Sequence, residues 1–136
     1  FKVVFTEKSF NDSNLSVHAI QAGYDIAAVL LMKKKKVGYR ITFIHVAEKY
    51  QRQRIGKFLL SLAHEHALRE NKSPVNIITR VKANNLTSLN FFINAGYTFK
   101  TFECKHETIE INGEITTTTK PAYILTYDFR NEIIVK

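Results

Sequence analysis

Apolar and polar positions along the chain change their period twice. Residues 15–21 and 26–32 are extended apolar stretches, and Ala22-Gly23-Tyr24-Asp25 between them predicts a hairpin turn. Four lysines at 33–36, followed by Gly38, predict a second turn. It leads into residues 39–46, Y-R-I-T-F-I-H-V, whose β-branched and aromatic content predicts a strand. The opening F-K-V-V-F reads as a further strand, so the N-terminal part predicts an antiparallel meander.

The period then lengthens. Ile55, Phe58, Leu59, Leu62, Ala63 and His66 recur at helical spacing and predict one apolar helix face, with the helix running to about Glu70. Asn71 and Pro74 supply stop signals. Residues 75–81 (V-N-I-I-T-R-V) predict a short strand, and residues 87–95 a second helix closed by Gly96 at its C′ position. Two long extended segments follow, 97–111 and 114–129, joined by Asn112-Gly113, a strong type I′ hairpin signal. The predicted fold is a mixed α/β sandwich: an antiparallel meander, a β-α-β crossover, a second helix and a C-terminal β-hairpin. The crossover makes residues 39–46 and 75–81 parallel neighbours.

Composition narrows the class. The chain has 136 residues, 45% hydrophobic and 24% charged, with 5 Gly and 2 Pro too scattered to mark a linker, so residues 1–136 read as one domain. No apolar run approaches the roughly 18 residues of a membrane span. The single cysteine, Cys104, excludes a disulfide framework and fits a reducing, intracellular and cytoplasmic setting. The chain opens on Phe1, which reads as a piece trimmed at its N-terminus. The net charge of +8 favours phosphate-bearing partners without choosing among them.

The choice comes from residues 46–60, V-A-E-K-Y-Q-R-Q-R-I-G-K-F-L-L, where a strand ends, a basic loop follows and a helix begins. The first amides of a helix lack intrahelical acceptors and sit at the positive end of its dipole, which suits phosphate. Lys49, Arg52, Arg54 and Lys57 add cations there, and Gly56 lets a bulky anion approach the backbone. A solvated basic loop is the plain alternative.

This segment resembles the coenzyme A loop of the GCN5-related N-acetyltransferase (GNAT) family, R/Q-x-x-G-x-G/A opening a helix after a strand that ends in Val. Gln51, Ile55 and Gly56 match, as do Leu59-Leu60 after them, while Arg54 stands at the pattern's first glycine. Downstream, Asn85, Ser88, Gly96 and Tyr97 follow the family's second signature, N-x-x-A-x-x-x-Y-x-x-x-G-F, with Phe92 on the tyrosine. The resemblance covers about residues 15–129 and implies a GNAT-type sandwich.

It further implies an N-acyltransferase moving an acetyl group from acetyl-CoA to a primary amine by direct attack. The acceptor would be a small molecule or a protein. Pantetheine would hydrogen-bond to the backbone of Ile44, His45 and Val46. The pyrophosphate would lie on Gln51, Arg52, Gln53, Arg54, Ile55, Gly56 and Lys57, with Asn85 and Phe92 near the cofactor as well. The reaction needs a base, amide donors for the oxyanion and an acid for the leaving thiolate. Phe92 cannot be that acid. The alternative function is accordingly a catalytically silent CoA-binding or interaction module.

Arg40 stands where some histone-acetylating relatives carry glutamate, so no base is declared there. His45 and Glu48 flank the implied thioester and are the candidate catalytic pair; histidine is the residue type that titrates near neutrality. A strand histidine packed beneath a helix is the other reading of His45. Residues 6–14 are too few for the two helices that the family places between its first two strands. Glu103, Glu107, Glu110 and Glu114 would favour a cationic amine if they face the acceptor cleft, and strand alternation explains them equally well.

A nucleic-acid partner ranks below these readings, because few aromatics interleave the basic cluster. His64 and His66 fall on different helix faces, and Cys104 with His106 makes only two ligands, so no metal is expected.

Overall fold

The computed structural model describes residues 2–8, 14–71 and 75–129. Strands β1 (Lys2–Lys8), β2 (Leu15–Ala22), β3 (Asp25–Lys34) and β4 (Tyr39–Val46) form the expected meander, each pairing antiparallel with the next. Helix α1 (Ile55–Glu70) follows a short 3-10 turn at Glu48–Tyr50, then come β5 (Asn76–Lys82), α2 (Leu86–Asn94), β6 (Thr98–Ile111) and β7 (Glu114–Asp128). The strand order is β1-β2-β3-β4-β5-β7-β6. A Cβ on Gly38, at the start of β4, would collide with the carbonyl oxygen of Asn76, which opens β5. The two strands therefore begin side by side and run parallel, as a β-α-β crossover requires.

The chain forms two compact units that divide within β5, between Ile78 and Thr79. In the first, α1 packs on β2, β3 and β4. Its core holds Ile20, Leu30, Met32, Ile41, Leu59, Leu60, Ala63 and Ala67, all at most 4% exposed. The buried face of α1 is Ile55, Leu59, Leu60, Ala63 and Ala67. Phe58, assigned to that face from spacing, is instead 50% exposed. It lies on the far flank of the i, i+4 ridge that runs through Ile55, Leu59, Ala63 and Ala67.

In the second unit, Leu89 and Phe92 of α2 are buried with Val81, Tyr97, Ala122, Ile124 and Leu125. Gly96 ends α2 at φ +98, the left-handed conformation that glycine adopts without strain. At the far hairpin Asn112 (φ 52) and Gly113 (φ 81) are both left-handed, as a type I′ turn requires.

Two boundaries differ from those read in the sequence. Lys33 and Lys34 continue β3, because both pair with β4 opposite Arg40 and Tyr39, so the lysine run is half strand and half turn. The stop at Pro74 and the stretch 9–13 lie outside the described residues. Asn71 caps α1 with extended backbone, and its side chain donates to the Ala67 carbonyl (2.8 Å).

Beneath the C-terminal half of α1 lies a polar cluster. His18, wholly buried on β2, hydrogen-bonds through Nε2 to Ser16 Oγ (3.1 Å), and that hydroxyl donates to the Met32 carbonyl (3.2 Å). With the Ser16 proton committed, Nε2 carries the imidazole proton. His18 Nδ1 has no partner among the described residues. Burial, with His66 at 5.1 Å between ring centroids, lowers His18 to about 4. His66 pairs with Glu70 (2.8 Å), and the Tyr39 hydroxyl donates to the same carboxylate (2.9 Å).

Candidate functional site

The end of β4 aims two side chains outward by means of a bulge. Ile41 pairs with Met32 and Phe43 with Leu31, which leaves Thr42 as the extra residue. One inserted residue exchanges the faces of everything after it. Tyr39 and Ile41 are buried on the face toward α1, whereas Phe43 and His45 are exposed and Ile44 takes the inner face. Unbroken alternation would have put His45 beneath the helix with Tyr39 and Ile41. That reading of His45 is corrected by the bulge. The ring of His45 stands 6.3 Å from that of Phe43, and Glu48, exposed, opens the turn that follows.

The loop from Val46 to α1 is closed by its own side chains. Gln51 Nε2 donates to the Val46 carbonyl (3.0 Å), and the Tyr50 hydroxyl donates to Asp25 (3.0 Å). Lys49 lies 3.9 Å from the same Asp25 carboxylate. Gln51, a family-pattern residue, therefore spends its side-chain amide on loop closure. Its main-chain N–H bonds to the Glu48 carbonyl (3.2 Å).

Arg52 (φ 64) and Arg54 (φ 62) both adopt the left-handed conformation. Such a backbone costs a non-glycine residue about 1–2 kcal/mol and occurs where the surroundings impose it. Glycine at the first position of the family pattern thus has a conformational reason, and Arg54 meets the same demand with a side chain present. Alternating left-handed residues turn successive amides inward, a geometry that holds anions.

At the start of α1, Arg54 is the N-cap residue but makes no side-chain cap, and the first turn has no acidic residue. The helical ladder opens with the bond from the Phe58 amide to the Arg54 carbonyl (3.1 Å), so the amides of Ile55, Gly56 and Lys57 precede it. Gln53, Arg54 and Lys57 are exposed, and Ile55 is buried as an anchor. Among the described residues no carboxylate pairs with Arg52, Arg54 or Lys57. Three amides, a helix dipole and three unneutralised cations converge on one loop.

Asn85 and Phe92 belong to the second unit. Asn85 caps α2, its side-chain oxygen accepting from the Ser88 amide (3.2 Å). Ser88 gives only its main-chain N–H to that cap, so the capping role belongs to the motif's asparagine. Phe92 is 2% exposed, with edge contacts to Phe91 and Tyr97 at 5.1 Å each. Of the four glutamates of the hairpin, Glu103 pairs with Arg80 (3.3 Å) and Glu107 with Lys120 (2.8 Å). The Lys120 hydrogen bond holds the Glu107 carboxyl below the usual range. Register places Glu110 on the face opposite to Glu103 and Glu107.

Among the described residues no cluster of three metal-ligating side chains occurs, and no helix is long and apolar enough to cross a membrane.

Comparison with solved structures gives the same architecture. An IAA acetyltransferase from Bacillus cereus superposes with a TM-score of 0.68 at 20% identity, over 85% of this chain and 78% of that one. A Bacillus subtilis acetyltransferase in complex with CoA matches at 0.67 and 20%, over 85% and 77%. A GNAT family acetyltransferase from Elizabethkingia anophelis with acetyl-CoA bound matches at 0.67 and 18%, over 85% and 77%. No curated protein sequence matches the chain. The family model for the acetyltransferase (GNAT) domain matches residues 4–112, most of the chain and the whole of the loop between β4 and α1, and the chain belongs to that family.

Proposed function

We propose that this chain transfers an acetyl group from acetyl-CoA to a primary amine. The observation that carries the reading is the N-terminus of α1, with its uncapped amides, left-handed arginines and unneutralised cations. These residues fit a diphosphate. The amides of Arg52, Gln53, Arg54, Ile55, Gly56 and Lys57 would hold it, with charge-assisted bonds from the Arg52, Arg54 and Lys57 side chains. Gln51, its amides engaged by Val46 and Glu48, would shape the loop around it. The backbone of Ile44, His45 and Val46 would bind the pantetheine arm. Asn85 and Phe92 are carried as cofactor contacts on the strength of the motif alone.

Bound acetyl-CoA supplies the activated acyl group and a thiol leaving group. His45 and Glu48, both exposed at the end of β4, would take the proton that the attacking ammonium must lose, directly or through water. Phe92 offers an apolar wall and no proton, so the thiolate departs without help from that side chain. With Glu103 and Glu107 neutralised by Arg80 and Lys120, the carboxylates left to favour a cationic acceptor are Glu110 and Glu114.

Calorimetric titration with acetyl-CoA, desulfo-CoA and 3′-dephospho-CoA at two salt concentrations tests the site. Saturable one-to-one binding that weakens with salt is expected; no heat and no thermal shift would overturn the reading. A thiol-release screen over small amines and lysine or N-terminal peptides then tests transfer. Binding with no release from any acceptor would leave a CoA-binding module.

A further inference from the structure

The β6–β7 hairpin outruns the strand beside it. β5 ends at Lys82, and the Ala83 amide makes its bond to the Pro121 carbonyl (3.0 Å). From there to the tip, among the described residues, β6 and β7 pair with no further strand, the Arg80 side chain reaching only the Lys120 carbonyl (3.4 Å), and every residue from Cys104 to Pro121 is exposed. Ile109, Ile111 and Ile115 are 45%, 62% and 71% exposed. A two-stranded ribbon with open faces is marginal in water. β6 also ends the strand order, so its outer edge offers unpaired backbone groups, which invite another strand.

The turn fixes which groups face that edge. Ile111 and Glu114, flanking a two-residue type I′ loop, exchange both hydrogen bonds, and the pattern alternates from there. Cys104, His106, Thr108 and Glu110 therefore direct N–H and C=O outward. Pro121 agrees: it lies opposite Cys104, has no N–H to give, and turns its carbonyl away from β6 to Ala83.

Charge along β6 selects the partner. Lys105 stands directly across from Lys120, an unfavourable like-charge pair, and Glu107 on the diagonal is engaged by Lys120. A second β6, antiparallel about a two-fold axis normal to the sheet, meets the first with residues of the same face opposed, so the axis falls on a residue. Axes on Glu103, Lys105 or Glu107 bring like charges together. An axis on His106 sets Phe102 against Glu110 and Glu103 against Ile109, and its two Lys105–Glu107 pairs would draw on a carboxylate that Lys120 already engages. An axis on Cys104 sets Glu103 against Lys105 twice and Phe102 against His106 twice. Arg80 takes only Oε2 of Glu103, and Oε1 has no partner among the described residues.

We propose that β6 pairs antiparallel with β6 of a second copy of this chain about an axis at Cys104, each Glu103 facing the partner's Lys105. The claim is independent of acyl transfer. It places the two Cys104 residues in a hydrogen-bonded pair with Cα atoms about 5.5 Å apart, inside the range a disulfide can bridge. The cysteine serves as a reporter of register.

Sedimentation of the chain under reducing conditions should show a monomer–dimer equilibrium. Lys105→Glu opposes two carboxylate pairs and should raise the dimer dissociation constant about tenfold. His106→Pro removes an outward N–H without touching the β6–β7 ladder and should give monomer. Oxidation with diamide, which takes up the two thiol hydrogens, should crosslink the wild type. It should not crosslink Cys104→Ser, nor the double variant Cys104→Ser/His106→Cys, whose thiols lie four residues out of register. Monomer at all concentrations, a dimer indifferent to Lys105→Glu and His106→Pro, or equal crosslinking through position 106 would overturn the proposal. Acetyl-CoA titration of Lys105→Glu should match wild type, which separates this test from that of the cofactor site.

Discussion

Replacing Arg54 by glycine should make the protein more stable and its cofactor site weaker. The backbone at Arg54 is left-handed (φ 62, ψ 16), and no side-chain cap compensates for it. An L-residue there costs about 1–2 kcal/mol that glycine avoids. Glycine in turn loses roughly 0.4–1 kcal/mol through the larger entropy of its unfolded chain. The net gain is on the order of 0.5–1 kcal/mol, or about 2–4 °C in Tm for a domain of this size. The guanidinium, if it bonds a phosphate, contributes about 1.5–3 kcal/mol, so acetyl-CoA affinity should fall ten-fold or more. Arg54→Ala separates the two effects, since alanine loses the charge but keeps the strained backbone. Urea unfolding and calorimetry on the three proteins are the assay. Equal stability of the Gly and Ala variants would refute the conformational account, and unchanged affinity in both would remove Arg54 from the phosphate site.

Gly56→Glu places a carboxylate at the first turn of α1 and should abolish acetyl-CoA binding in calorimetry; retained affinity would mean the loop is wrongly located. Phe92→Tyr adds a hydroxyl to a ring that is 2% exposed and should lower stability in urea by about 1–3 kcal/mol. Thiol release rises in that variant only if the hydroxyl reaches the sulfur, and an unchanged or lower rate shows that the acid was never limiting. Gly38→Ala drives a Cβ into the Asn76 carbonyl at φ +81 and should cost about 2 kcal/mol or more, read as a fall in Tm. His18, lowered to about 4 from an unfolded 6.5, binds fewer protons folded than unfolded between those values. Its contribution is full above about pH 6.5 and is lost as pH falls toward 4, on the order of 3 kcal/mol. Urea midpoints from pH 7.5 to 4 should fall accordingly, alongside whatever the neighbouring His66–Glu70 pair adds, and His18→Gln should flatten that limb.

Local signals carried far where the backbone itself was the message. Asn112-Gly113 demands two left-handed residues, so the distal turn was legible from two letters. Gly96 ended α2 where glycine relieves a positive φ. The basic loop between β4 and α1 was legible because a strand, clustered cations and a helix start need only adjacency in the chain. Less was legible where a side chain's partner lies elsewhere in sequence. The glutamates of β6 could be counted but not discharged without Arg80 and Lys120. The part-buried His18–His66–Glu70–Tyr39 cluster joins β2, α1 and β4, and no spacing signal links its members across those elements.

Sequence by itself determined the order of elements, the register-setting turn, the clustering of cations before α1 and the family, because these depend on period, dihedral preference and neighbouring charge. Tertiary structure decided which way side chains point. Thr42 is bulged only because β3 offers one residue fewer to β4, and that slip sends His45 to solvent rather than beneath α1. Likewise the left-handed backbone at Arg52 and Arg54 follows from how the loop must close between β4 and α1, a demand the arginines themselves do not announce. Faces and strained dihedrals are set by pairing between distant segments, where a single inserted residue inverts the outcome.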